Sequence, residues 1–261
     1  MRIVLIGTGN VATRLGMALQ AKNADIVQVF GRSEKNASIL ASELGCAFTT
    51  KIKQIVTDAD IYIMAVSDDV ISTLAAGFPL MDQLIVHTAG SISMEVLASV
   101  SENYGVLYPL QTMSARKDLD FSHIPFCIEA SSEANLEKLR MLAATISDQV
   151  FEIDSQKRKQ LHLAAVYVCN FVNHLYAIGE ELLKEQNLDF NLLKPLISET
   201  AEKVMQFSPN DVQTGPAIRG NKAVMESHLD MLEQHPEWKK IYGIMSDDIK
   251  SSQKKETFQN L

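Results

Sequence analysis

The sequence predicts an α/β protein, with a doubly wound, mostly parallel sheet over residues 1–153 followed by an all-α domain over 154–261. Three observations carry that prediction. Short apolar runs alternate with helical patterns through the first half. Those runs are apolar almost continuously, as in strands covered on both faces. From Asp154 onward the strand signals stop, and only helical periodicity remains.

Taken in chain order, strands are expected at 3–6, 26–30, 46–48, 61–66, 84–87, 106–108, 125–129 and 150–153. Helices are expected between most of them, notably at 11–21, 34–44 and 133–145. The second half reads as helices over 155–185, 190–207, 221–234 and 237–250, with a polar, frayed tail from 250 to 261. No internal repeat or low-complexity tract interrupts the pattern.

Composition narrows the class. Of 261 residues, 46% are hydrophobic and 21% charged, as in ordinary soluble globular chains. The net charge of −8 argues against nucleic acid or an anionic membrane surface as the main partner. Cys46, Cys127 and Cys169 stand far apart, with no metal-ligand spacing. They read as small apolar residues in a reducing compartment, and no metal is expected. The apolar start at 1–6 is too short for a signal peptide. The longest apolar stretch, 161–178, contains His162, Asn170, Asn173 and His174, which argues against a membrane span. A cytoplasmic location is expected.

The first strand runs into Gly7-Thr8-Gly9-Asn10-Val11-Ala12, a glycine turn that opens a helix. Gly7 permits the tight turn, Gly9 lets the backbone approach a pyrophosphate, and Ala12 keeps helix and strand close. The helix start offers free N–H groups and a positive dipole end to phosphates. This is the Rossmann dinucleotide fingerprint in its required strand–turn–helix context. A binder of NAD would carry an acid at the end of the second strand. Here the chain reads Val29-Phe30-Gly31-Arg32-Ser33, so Arg32 and Ser33 are expected on a ribose 2′-phosphate and the cofactor is expected to be NADP.

Two later strand ends point into the same crevice. Val66 and Ser67 follow the fourth strand and are expected beside the cofactor ribose, whereas His87 and Ser91 at the fifth are expected near the nicotinamide. Asp68 reads as a helix N-cap. In the helix through 161–178, an ideal α-helical step puts Asn173 about 20°, Asn170 about 80° and His174 about 120° from His162. That polar stripe on an apolar helix, otherwise a core or subunit-interface helix, makes His162 and Asn170 candidates for substrate contact; hydrogen bonding within the helix or water at its ends is the competing reading. Arg219, the one cation in the turn 214–221, is a candidate carboxylate clamp or a loop fastener.

These segments, together with Ala65-Val66-Ser67-Asp68-Asp69, His87-Thr88-Ala89-Gly90-Ser91, Tyr108-Pro109-Leu110-Gln111-Thr112, Ala164-Ala165-Val166 through Asn170, and Gly215-Pro216-Ala217-Ile218-Arg219-Gly220-Asn221, resemble the Rossmann-like NADP oxidoreductases that carry an uncharacterised helical C-terminal domain. That family is similar in plan to pyrroline-5-carboxylate reductase, ketopantoate reductase and the β-hydroxyacid dehydrogenases. The resemblance implies hydride transfer between NADP(H) and a small C=N or C=O substrate, of imino- or keto-acid type. It also implies a homodimer formed through the helical domain. One departure matters. The β-hydroxyacid dehydrogenases carry a catalytic lysine four residues before an asparagine; Asn170 matches the asparagine, but Val166 stands at the lysine position. That favours imine over alcohol chemistry, and leaves two other readings: an NADP(H) sensor without turnover, and an enzyme using a deazaflavin hydride partner.

Overall fold

The computed structural model describes residues 1–79, 82–114 and 119–259, with side chains described as far as Ser252. Among the described residues, eight strands form one sheet: β1 (Arg2–Ile6), β2 (Asp25–Phe30), β3 (Ala47–Thr49), β4 (Ile61–Met64), β5 (Leu84–His87), β6 (Tyr104–Pro109), β7 (Phe126–Ala130) and β8 (Val150–Glu152). Their spatial order is β3-β2-β1-β4-β5-β6-β7-β8. Neighbours from β3 through β6 are parallel; β7 is antiparallel to β6, and β8 parallel to β7. The chain builds outward from β1 to β3 and then restarts at β4 on the other side of β1. That reversal opens a crevice beyond the carboxyl ends of β1 and β4, where open α/β sheets bind ligands.

Helices α1 (Asn10–Ala21), α2 (Glu34–Leu44) and α4 (Glu133–Ala144) occupy the expected stretches, and α3 (Asp68–Gly77) follows β4. The sheet is apolar on both faces. Ile3, Leu5, Ile63 and Phe126 pack in one layer with Leu15, Leu40 and Leu139 of the helices. Val4, Ile6, Tyr62 and Met64 pack in the other with Ile71 of α3. This is why the strands read as unbroken apolar runs rather than alternating ones.

Beyond β8 the chain is helical: α5 (Ser155–Ala165), a π-helical segment Val166–Phe171, then α6 (Val172–Glu185), α7 (Lys194–Gln206), α8 (Lys222–Met231) and α9 (Pro236–Gln259). The chain divides into two compact units, Met1–Phe171 and Val172–Leu261. The first therefore extends past residue 153, where the strand signals end. The reason is local: Arg158 of α5 is fully buried and ion-paired with Glu129 of β7, 2.5 Å apart. A buried guanidinium paired in this way ties α5 to the sheet. The tail expected to fray from residue 250 continues α9 to Gln259, and the last two residues lie outside the described part.

Two expectations about the long apolar helix change. The π-helical turns at Val166–Phe171 alter the angular step, so the stripe computed for an ideal α-helix does not carry from His162 to Asn173 and His174. Nor is it a core helix. Ser155–Glu185 is, among the described residues, long and apolar enough to cross a membrane, and none of its most apolar stretch is buried within this chain.

Candidate active site

The glycine turn is dictated by space. Gly7 has φ +125°, and a Cβ there would lie 2.1 Å from the carbonyl oxygen of Ala65 on the neighbouring strand. Its N–H donates to Phe30 C=O at 2.8 Å, which holds the end of β1 against β2. Gly9 caps α1 with no side-chain acceptor, and nothing lies within 4 Å of where its Cβ would be. The first turn of α1 carries no acid, and its N–H groups at Asn10, Val11 and Ala12 have no partner inside the helix. Open space over bare donors at the positive end of a helix dipole suits a pyrophosphate.

A cavity of about 1080 Å³ opens over this turn. Gly7 through Val11 line it, as do Arg32, Val66 and Ser67, all named from sequence. Two expected residues take other positions. Ala12 is fully buried under the turn, where it keeps α1 close to the sheet. Ser33 caps α2, accepting from Asn36 N–H at 3.4 Å, and does not line the cavity. Lys51 and Lys53, just past β3, do line it and were not anticipated. Asn10 closes one side by donating to Met113 C=O at 3.1 Å.

A second cluster lies at the ends of β5 and β6. His87 is fully buried. Its Nδ1 accepts from Ala89 N–H at 3.1 Å, which leaves Nε2 to donate to Ser93 C=O at 3.3 Å. Burial, assisted by the nearby Arg158 guanidinium, pushes its pKa down to about 4. His87 is thus neutral, enclosed and committed on both nitrogens, so although it stands at the strand end expected near the nicotinamide, it is not placed as a proton donor. Ser91 donates to the carboxylate of Asp68, and Asp68 lines the cavity, so this hydrogen bond joins the two clusters. Asp68 is the first residue of α3, and Ser67 is its N-cap.

His162 of α5 is half-buried against Tyr108 of β6. The phenol oxygen is 3.0 Å from Nδ1, and the rings meet edge to face with centroids 6.0 Å apart. Burial pushes the Tyr108 hydroxyl up to about 12, so it keeps its proton; with the phenol as donor to Nδ1, the imidazole proton sits on Nε2. Both rings lie on Gly90, where a Cβ would meet His162 Nδ1 at 2.6 Å and Tyr108 Cζ at 2.8 Å. Asn170 is exposed on the π-helical segment and outside the cavity wall. Arg219 is exposed in the second unit, on the turn before α8. Tyr108 carried a signal that sequence reasoning left unused: it stands near the end of a strand on the ligand-facing edge.

Comparison with known proteins agrees with this geometry. Residues 2–90 match the family model "NADP oxidoreductase coenzyme F420-dependent", and residues 124–249 match a domain of unknown function, DUF2520. No curated protein matches the chain. A "putative NADP oxidoreductase" from Bacteroides fragilis is 44% identical, with 96% of this chain and 98% of that one covered and a TM-score of 0.89. The pyrroline-5-carboxylate reductase of Streptococcus pyogenes shares the fold at 16% identity, with 96% and 98% covered and a TM-score of 0.61. An imine reductase from Myxococcus stipitatus, solved with NADP+, does so at 16% identity, with 97% and 94% covered and a TM-score of 0.66. With nearly half of its residues shared end to end with the Bacteroides protein, the chain belongs to the Rossmann-fold NADP oxidoreductases that carry this helical C-terminal domain.

Proposed function

We propose that the protein is an NADPH-dependent reductase of a small C=N or C=O compound of imino- or keto-acid type. One observation carries the reading. A single cavity is lined both by the bare helix start at Gly9 and by the cation Arg32, with Asp68 the one carboxylate on its wall among the described residues. Bound there, the cofactor supplies the hydride. The backbone donors of the glycine turn hold its pyrophosphate, Arg32 takes the 2′-phosphate, and Val66 and Ser67 flank the ribose. Ser91 and the Tyr108–His162 pair stand beyond Asp68; His162 Nε2–H is the proton donor where the substrate does not arrive protonated, and Asn170 orients it.

The test is cofactor titration followed by turnover. NADPH is expected to bind at least tenfold more tightly than NADH, a difference of about 1.4 kcal/mol, with the preference lost in Arg32→Ala. NADPH absorbance is then followed with a panel of cyclic imines and keto acids. Oxidation of NADPH supports the reductase. Tight binding without oxidation by any acceptor supports an NADP(H) sensor, the reading that Val166 in place of a lysine favours. Turnover with a reduced deazaflavin alone supports the third reading, toward which the model matched by residues 2–90 points. Equal affinity for the two cofactors overturns the first two.

The unburied apolar helix argues for a second copy of this chain as its cover. Tyr167, Val168 and Phe171, close together on one segment, are 62%, 73% and 50% exposed, and clustered exposed apolar side chains mark interaction faces. A stable homodimer buries well over ~1,000 Å² in total. Light scattering of detergent-free protein at micromolar concentration is expected to give twice the chain mass. A monomer, or protein that needs detergent to stay dispersed, would refute this cover.

A further inference from the structure

We infer that Lys51 and Lys53 complete, with Arg32, a three-cation clamp that selects a 2′-phosphorylated adenosine ligand over its unphosphorylated counterpart; this rests on the NADP reading above. The register of the sheet places the first two. Phe30 of β2 pairs with Thr49 of β3, and each strand carries a cation two residues beyond that pair: Arg32 on one, Lys51 on the other. Lys53 follows in the short 3-10 turn Ile52–Gln54. All three residues line the cavity.

The backbone beneath them is fastened. Gly31 N–H donates to Thr49 C=O at 3.1 Å, tying the two strand ends together. The buried Thr49 hydroxyl accepts from Lys51 N–H at 3.1 Å. Gln28, also buried, donates to Gln54 C=O at 3.1 Å and accepts from Val56 N–H at 2.9 Å, holding the turn from the sheet side. The cations are therefore mounted on a fixed frame rather than on a free loop.

Their charges are unanswered among the described residues. Among the described residues no carboxylate ion-pairs with Arg32, Lys51 or Lys53, although the chain as a whole is acidic, at −8. Three like charges facing one cavity repel each other, and an anion placed among them relieves that repulsion. A planar fork and two flexible ammonium groups match a dianionic phosphate monoester, whose oxygens accept from several directions. The adenosine 2′-phosphate is the group that distinguishes NADP from NAD at this end of a Rossmann cleft.

The test compares wild type, Arg32→Ala, and the double variant Lys51→Gln/Lys53→Gln by calorimetric titration with NADPH, NADH, adenosine 2′,5′-bisphosphate and 5′-AMP. In the double variant the affinities for NADPH and the bisphosphate are expected to fall at least tenfold. Those for NADH and 5′-AMP should stay within about twofold, which also reports an intact fold. Lys51→Arg/Lys53→Arg should keep the preference. A preference that survives the double variant but is lost in Arg32→Ala overturns the clamp and leaves the NADP reading standing. Equal losses for all four ligands overturn it as well, assigning the lysines to general phosphate attraction. No preference in wild type overturns both.

Discussion

Tyr108 Oη lies 3.0 Å from His162 Nδ1, and the two rings meet over the bare Cα of Gly90. A strand-end phenol that retains its proton is thereby placed to donate to Nδ1 and to set the tautomer of an imidazole from the helix beyond the sheet. With Nδ1 occupied as an acceptor, Nε2 carries the only transferable proton of the neutral ring.

In Tyr108→Phe the neutral imidazole should lose that preference. Nitrogen-15 NMR of the wild type should show His162 protonated on Nε2, and the variant a mixture of tautomers. With a substrate identified from the imine and keto-acid panel, kcat should fall about tenfold and KM little, since positioned general acids contribute roughly 10²–10⁴-fold. An unchanged tautomer in the variant would remove Tyr108 from this role.

Gly90→Ala tests the same contact from below. The added Cβ would sit 2.6 Å from His162 Nδ1, so the imidazole must move or the turn must yield. Overpacking of this kind costs about 1–3 kcal/mol, readable as a lower denaturation midpoint. A variant as stable as the wild type, with His162 unmoved, would show that the turn has slack the structure does not suggest.

His87 predicts a pH dependence of stability. Its folded-state pKa, about 4, lies below the ordinary value of 6.5 because the ring is buried neutral. Above pH 6.5 neither state takes the proton and nothing is lost. Between 6.5 and 4 the unfolded chain binds the proton and the folded one does not, so stability falls with falling pH, by about 1.4 kcal/mol per unit at most. Below 4 the loss is complete. Denaturation of wild type and His87→Gln across this range should give a shallower acid slope in the variant; parallel slopes would sink the assignment.

Glu129 anchors α5 to the sheet. It pairs with the buried Arg158, and its carboxylate also accepts from Ser155 N–H at 2.9 Å and Ser155 Oγ–H at 2.7 Å. Arg158 in turn donates to Ile92 C=O at 2.5 Å, beside the turn that carries Ser91. Glu129→Gln leaves a buried guanidinium without its counter-charge, which costs about 3–5 kcal/mol. Chemical denaturation measures that loss, and a loss below about 1 kcal/mol would mean that water reaches the arginine.

The nucleotide-binding half was readable because its signals are local. A strand, a Gly7-to-Ala12 turn and a helix lie adjacent in the chain, and each residue acts through its own backbone or its nearest neighbours. Arg32 was found by the same local logic, two residues past a strand end. Lys51 sits at an equivalent place on β3 and escaped notice because a three-residue strand leaves a faint apolar pattern. The stripe on the long helix failed for a related reason. Its angles assumed regular α-helical steps, and no side chain in Val166–Phe171 announces π-helical turns.

The order of strands and helices, the phosphate turn and the missing acid after β2 were determined by the sequence alone, since periodicity and glycine geometry act over a few residues. Which distant residues meet was decided only in three dimensions. Nothing near Arg158 in the chain foretells Glu129, and nothing near His162 foretells Tyr108, because these partners lie 29 and 54 residues apart and are joined by the order of strands in the sheet. The same holds for His87: its place at a strand end suggested a role beside the nicotinamide, but burial and two hydrogen bonds within its own turn made it a fastening group. Burial is a property of the packed sheet, and there it outweighs the chemistry that the imidazole would show in water.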